Sequence, residues 1–357
     1  MKRLMILAAA ALVAACGSSD KQGDTKGAAP ASSGSVDLTG AGATFPYPLY
    51  SKWFSEYATA KNVRINYQSI GSGGGIRQLS EQTVDFGASD APMSDEEMSK
   101  AKGGKVLHIP TVLGAVVVTY NVPELQQPLK LTGEVLGDIF LGTITKWNAP
   151  QIAALNPGVA LPARDILVVR RSDGSGTSYI FTDYLSAVSA PWKAGPGKGK
   201  EVRWPVGLGG KGNEGVAGQV KSTPGTIGYV ELAYATQNRL PVAAIRNAAG
   251  TFVTPSIASV TAAAAGVAEQ LPAESDYRVS IVNAPGAEAY PISSFTWLLV
   301  YETQRDAVKG RKLVDFLGWA LKDGARFAAP LDYAPLPPAL VTRLEQRLAT
   351  IKLDAQP

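Results

Sequence analysis

From Val36 onward, short β-branched apolar runs alternate with longer amphipathic ones, and few architectures accommodate that rhythm. Residues 63–69, 86–88, 106–110, 115–120, 166–170, 226–230, 242–244 and 295–301 read as strands. Residues 48–60, 75–82, 96–100, 133–141, 149–156, 178–188, 213–221, 258–270, 304–321 and 338–348 read as helices. Within 304–321, Val308, Leu313, Phe316, Leu317 and Ala320 share one face, with charges between them. Such alternation predicts an α/β fold with mostly parallel strands. No repeat of fixed period appears, which argues against a solenoid. A chain of 357 residues with 45% apolar and 18% charged side chains can bury a sizeable core, and its length favours two domains.

Met1-Lys2-Arg3 is a short basic start, and the apolar run from Leu4 to Ala15 is too short for a bilayer span of about 20 residues. It matches a secretory signal whose end, Leu12-Val13-Ala14-Ala15-Cys16, looks like a bacterial lipobox. The expectation is a signal peptide over 1–15, then Cys16 carrying a diacyl anchor, then a Gly/Ser/Ala-rich flexible tether to residue 35. An ordinary signal peptide with an incidental cysteine is the competing reading. Either way the body is expected outside the cytoplasm, in the periplasm or cell envelope.

The lone His108 excludes a histidine-cluster metal site, and the lone cysteine excludes an internal disulfide or a cysteine zinc site. A net charge of +4, of which Lys2 and Arg3 supply two, is too small to argue for nucleic acid. His108 precedes Ile109-Pro110 in an apolar run and reads as structural. Residues 190–201 form a basic Pro/Gly-rich stretch that reads as a solvated loop.

Three loops share one chemistry. Gly40-Ala-Gly-Ala-Thr44-Phe45-Pro46, Gly71-Ser72-Gly-Gly-Gly75 and Arg170-Arg171-Ser-Asp173-Gly-Ser175-Gly176-Thr177 are each small and hydroxyl-bearing, and each opens a helix. A helix N-terminus carries unpaired N–H groups and about half a positive charge. Glycine admits close approach of an anion, and a hydroxyl adds a donor. Glycine and serine also cap helices without any ligand, so one such loop says little; three, with Arg171 inside one, favour a common oxyanion. Neither the dinucleotide nor the nucleoside-triphosphate loop spacing is present.

Taken in order, Thr39-Gly-Ala-Gly-Ala-Thr-Phe-Pro46, Gly71-Ser-Gly-Gly-Gly75, Val84-Asp-Phe-Gly-Ala-Ser-Asp-Ala-Pro92, Val169-Arg-Arg-Ser-Asp-Gly-Ser-Gly-Thr-Ser178 and Gly207-Leu-Gly-Gly-Lys-Gly-Asn213 closely resemble the phosphate-binding proteins of bacterial high-affinity phosphate ABC transporters. The resemblance runs from about Leu38 to about Leu340. It implies a two-domain periplasmic-binding-protein fold of the Venus-flytrap type, type II-like, with the ligand cleft between domains. Domain I would combine 36–117 with 284–357, and domain II would be 118–283. It implies phosphate contacts from the Thr44 and Phe45 N–H groups and from Ser72, Asp90, Arg171, Ser175, Gly176 and Thr177. It also implies a monomeric binding protein, with no catalysis and no cofactor or metal, whose partners are phosphate and a permease with its ATPase. Gly73 stands where a second serine is common, and the lipobox departs from freely soluble members.

Asp90 is the informative residue in that set. An ionised carboxylate only accepts, so it would pair with the proton that phosphate keeps and sulfate lacks. A turn or N-cap carboxylate ahead of 96–100 is the plainer alternative. Asp173 either holds the Arg171 guanidinium or makes an Asx-turn. Residues 207–215 read as a packing turn; the resemblance puts them near the cleft, which leaves a secondary ligand contact as the alternative. Sulfate, molybdate or tungstate binding is the nearest rival; a phosphatase would need a nucleophile or metal cluster that the sequence does not offer.

Overall fold

The structure, a computed structural model, describes residues 37–268, 271 and 275–354. The signal peptide, Cys16 and tether lie outside the described residues. Eight strands make one mixed sheet in the order Ile65–Ser69, Leu38–Gly42, Phe86–Ser89, Ser293–Tyr301, Val106–Tyr120, Thr226–Glu231, Leu167–Arg171 and Leu208–Gly210. The outer strands on each side run parallel, as expected of βα units. The two central strands do not. Ser293–Tyr301 is antiparallel to both of its neighbours, and Val106–Tyr120 is antiparallel to Thr226–Glu231.

Val106–Tyr120 organises the molecule. From Val106 to Ala115 it pairs with Ser293–Tyr301, and from Val116 to Tyr120 it pairs with Thr226–Glu231. One strand thus serves both halves of the sheet. The sequence suggested two strands here, broken at Pro110. Pro110 instead faces the register shift between Thr296 and Trp297, where a bulge spares the ladder the missing N–H.

Helices cover the sheet with apolar faces. Tyr47–Lys61 buries Leu49, Tyr50, Trp53, Phe54 and Tyr57, and Ala307–Leu321 buries Leu313, Phe316, Leu317 and Ala320. The Phe316 ring lies 5.2 Å from that of Tyr57 and 5.6 Å from that of Phe54; burying one such side chain stabilises by about 1.5–3 kcal/mol. Val308, placed on that face by periodicity, is 66% exposed because it sits in the first turn. No helix among the described residues is long and apolar enough to cross a membrane.

Candidate functional site

Three helices begin where parallel strands end. Ile65–Ser69 leads into the helix Ser72–Ser80, Leu167–Arg171 into Gly176–Val188, and Leu208–Gly210 into Gly212–Ser222. The first two start earlier than propensity suggests, inside the glycine loops. Gly71 adopts φ of 89°, which a side chain would strain. A Cβ at Gly75 would lie 2.5 Å from the Ala41 carbonyl oxygen, so only glycine lets this helix sit so close to the strand Leu38–Gly42.

The loops meet. Gly73 N–H donates to the Gly174 carbonyl at 2.9 Å, and Gly176 N–H donates to Ser72 Oγ at 3.1 Å. Thr44, Ser72, Asp90, Arg171, Ser175 and Thr177 are each at most 3% exposed, and Phe45 is fully buried. All eight residues implied by the resemblance therefore belong to one buried cluster. Ser175 caps its helix by accepting from Ser178 N–H at 3.0 Å. Backbone carbonyls of this region are tied down from afar: Tyr234 donates to Thr44 and Tyr333 to Phe45, each at 2.6 Å.

Arg171 is clamped. Its Nε and Nη2 donate to the two oxygens of Asp173 at 2.8 and 2.5 Å, and Nη1 donates to Thr177 Oγ1 at 3.2 Å. Asp173 thus holds the guanidinium, the first of its two sequence readings. Burial pushes Asp173 up, but the Arg171 pair and Gly212 N–H outweigh it and hold the carboxyl below its ordinary range. Of the five guanidinium N–H donors, the two not used in these bonds remain for another acceptor.

Asp90 contrasts with its surroundings. Oδ1 accepts from Thr296 Oγ1 at 2.8 Å, and Oδ2 lies 3.4 Å from Ser72 Oγ. Burial pushes its carboxyl up to about 7, although the Thr296 hydroxyl, the Arg171 charge and the Ser72 hydroxyl all pull it down. It follows the strand Phe86–Ser89 and does not cap the next helix; Ser94 does, in a capping box with Glu97.

Thr296 was missed from sequence, and Asn213 stood in a quoted motif without a role. Thr296 looks like any polar residue in an alternating strand. Asn213, fully buried, donates from Nδ2 to Thr44 Oγ1 at 2.7 Å and to Thr177 Oγ1 at 3.0 Å. The stretch 190–201 is no free excursion: Ser175 N–H donates to the Lys200 carbonyl at 3.0 Å, Gly199 N–H to Thr182 Oγ1 at 3.1 Å, and Lys200 Nζ pairs with Glu97 at 2.7 Å. His108 is buried as expected. Its Nε2 accepts from Met93 N–H at 2.9 Å and its Nδ1 faces Asp276 at 2.7 Å, while burial holds the ring below its ordinary pKa.

A family model described as a PBP superfamily domain matches residues 27–323. The phosphate-binding protein PstS of Xylella fastidiosa is 47% identical over 312 residues, covering 87% of this chain and 84% of that protein. The chain belongs to the PstS family of phosphate-binding proteins. The Pasteurella multocida PstS is 46% identical, with 88% of this chain and 90% of that protein covered. Among solved structures, the phosphate-binding protein of Stenotrophomonas maltophilia superposes with a TM-score of 0.65 at 21% identity, covering 88% of this chain and 94% of its own. That likeness supports the periplasmic-binding-protein fold.

Proposed function

We propose that this member captures inorganic phosphate outside the cytoplasm and delivers it to the membrane permease of an ATP-driven importer, binding without catalysis. The observation that carries the reading is one buried carboxylate, Asp90, set among donors from Ser72, Arg171, Thr177 and helix N-termini. Phosphate near neutral pH offers several acceptor oxygens and at least one O–H. Its oxygens would take the N–H groups of Thr44 and Phe45, the Gly176 N–H in exchange for Ser72 Oγ, the hydroxyls of Ser72, Ser175 and Thr177, and the remaining Arg171 donors. Its proton would lie between ligand and Asp90. Sulfate brings none, so it would meet a carboxylate with no donor between them.

The supporting geometry also fits a hinge. The long strand Val106–Tyr120 changes partner between Ala115 and Val116, and the chain returns to the first half ahead of Ser293. We therefore assign domain I to 36–117 with 284–357 and domain II to 118–283, closing about these two crossings on the ligand. The closed form is what the permease would engage.

The deciding experiment is a thermal-shift and calorimetry panel with phosphate, arsenate, sulfate and molybdate after removal of co-purified ligand. A ligand that binds only the native state raises the melting temperature by mass action. Phosphate and arsenate should do so and sulfate should not; stabilisation by sulfate or molybdate alone would establish the rival oxyanion reading. The lipobox-like end of the apolar start supports a lipid tether at Cys16, and we read the tethered protein as a monomer. Cys16→Ser should abolish diacyl mass and membrane attachment in a fractionation experiment, and attachment surviving that change would refute the anchor.

A further inference from the structure

Asn213 sits at the start of the helix Gly212–Ser222 with every polar side-chain atom engaged. Its Oδ1 accepts from Glu231 N–H at 2.9 Å. A backbone N–H can only donate, so that bond fixes the orientation of the amide, and Nδ2 is the atom that faces the two threonines. Thr44 Oγ1 accepts from Nδ2 and also from Asn213 N–H at 3.2 Å. Thr177 Oγ1 accepts from Nδ2 and also from Arg171 Nη1.

A hydroxyl oxygen has two acceptor lone pairs and one proton. Both lone pairs are filled at Thr44 and at Thr177, and among the described residues neither proton has an acceptor. Two buried hydroxyl protons without a protein partner call for an acceptor from outside. We propose that Asn213 is the positioning residue that locks the Thr44 and Thr177 hydroxyls as obligate donors to the bound anion. The inference rests on the anion-binding reading above. Thr44 follows the strand Leu38–Gly42 and Thr177 lies in the helix after Leu167–Arg171, so a single amide aligns donors from both halves of the sheet. The alignment is complete only while the halves are together.

A double-mutant cycle tests this by calorimetry with inorganic phosphate. Asn213→Leu in the otherwise native protein should weaken phosphate roughly 10- to 100-fold, the scale of one or two misdirected buried donors. In a Thr44→Val, Thr177→Val background the same change should cost less than about threefold, since the groups it acts through are gone. An equal loss in both backgrounds, or no loss in the first, would overturn the proposal. Because leucine leaves Glu231 N–H without its acceptor, Asn213→Asp is the second variant. It keeps that bond and its size, but turns an acceptor toward both hydroxyls. Its loss should exceed that of the leucine variant and shrink in the valine background; a loss that does not shrink would assign the effect to charge alone and overturn the lock. Wild-type protein that binds another oxyanion of the panel but not phosphate would defeat the phosphate reading while the cycle is run on that anion. Wild type that binds none of them defeats both.

Discussion

Asp90 joins two properties that are usually separate: it is the acceptor to which we assign selectivity, and it is a cost to the fold. Its carboxyl is pushed from an ordinary 3.8 up to about 7 by burial. Below about pH 4 it is protonated whether the chain is folded or not, and burial costs nothing. As pH rises the unfolded chain ionises freely while the folded one resists, so stability is lost progressively and the full cost is reached above about pH 7. At 1.36 kcal/mol per pKa unit that cost is on the order of 4 kcal/mol. Asp90→Asn should therefore raise the melting temperature of ligand-free protein at pH 8 and leave it nearly unchanged at pH 4. The same variant should lower the phosphate-to-sulfate affinity ratio, because the amide can donate to a fully ionised oxygen. In wild type, sulfate affinity should climb as pH falls below 7 and Asp90 becomes a donor itself. A ratio unchanged by the substitution would move selectivity elsewhere in the site. At this scale the sequence was legible where chemistry is local. Thr44, Ser72, Arg171 and Thr177 announce themselves because glycine, hydroxyl and charge stand side by side. Thr296 lends its hydroxyl from a distant, ordinary-looking strand that no local pattern marks, and Asn213 stood in a glycine-rich motif that did not reveal its partners.

At the scale of elements, the glycines are what periodicity could not value. The helix Ser72–Ser80 runs through three consecutive glycines that propensity would exclude from any helix. Their surroundings are tight: a Cβ at Gly75 would run into the strand Leu38–Gly42, one at Gly74 would meet the Ile70 side chain at 2.8 Å, and one at Gly73 would sit 3.2 Å from Gly174 Cα. Gly176 tests the idea most directly. Its φ is not in the left-handed region, yet a Cβ there would lie 2.5 Å from Ser72 Oγ and 2.6 Å from Asp90 Cβ, both on the opposing half. Gly176→Ala should force Ser72 or Asp90 to shift, so the ligand-free melting temperature should not rise despite the better helix propensity of alanine. Phosphate affinity should fall by about 100-fold or more, since closure to the observed distance is blocked. Near-native affinity in calorimetry would mean the halves need not approach this closely. The α/β class and most elements followed from periodicity, whereas the antiparallel centre did not. Strand direction depends on which distant segments meet, and local hydrophobic spacing carries no record of it.

Across the whole molecule, the two halves of the sheet are joined outside the buried cluster as well as within it. Lys200 reaches across to Glu97, with both side chains partly exposed. Pairs of that kind contribute about 0–1 kcal/mol and are weakened by salt. Glu97→Gln, which retains the capping geometry of its helix, should speed phosphate release by up to about fivefold. The difference from wild type should vanish at high ionic strength in a stopped-flow experiment. An effect insensitive to salt would place the role of Glu97 in its helix cap rather than in the latch.

The central strand that serves both halves also dictates a schedule. The strand Ser293–Tyr301 lies between Phe86–Ser89 and Val106–Ala115, in the middle of the first half of the sheet. Nothing near it in sequence can take its place, so the N-terminal part of the chain has no complete sheet until that segment has been synthesised. At roughly 5–20 residues per second, the ribosome needs on the order of ten seconds or more to go from Tyr120 to Ser293. Throughout that interval the nascent chain has edges but no finished core. The same topology defers burial of the core of the first half until most of the chain has left the ribosome.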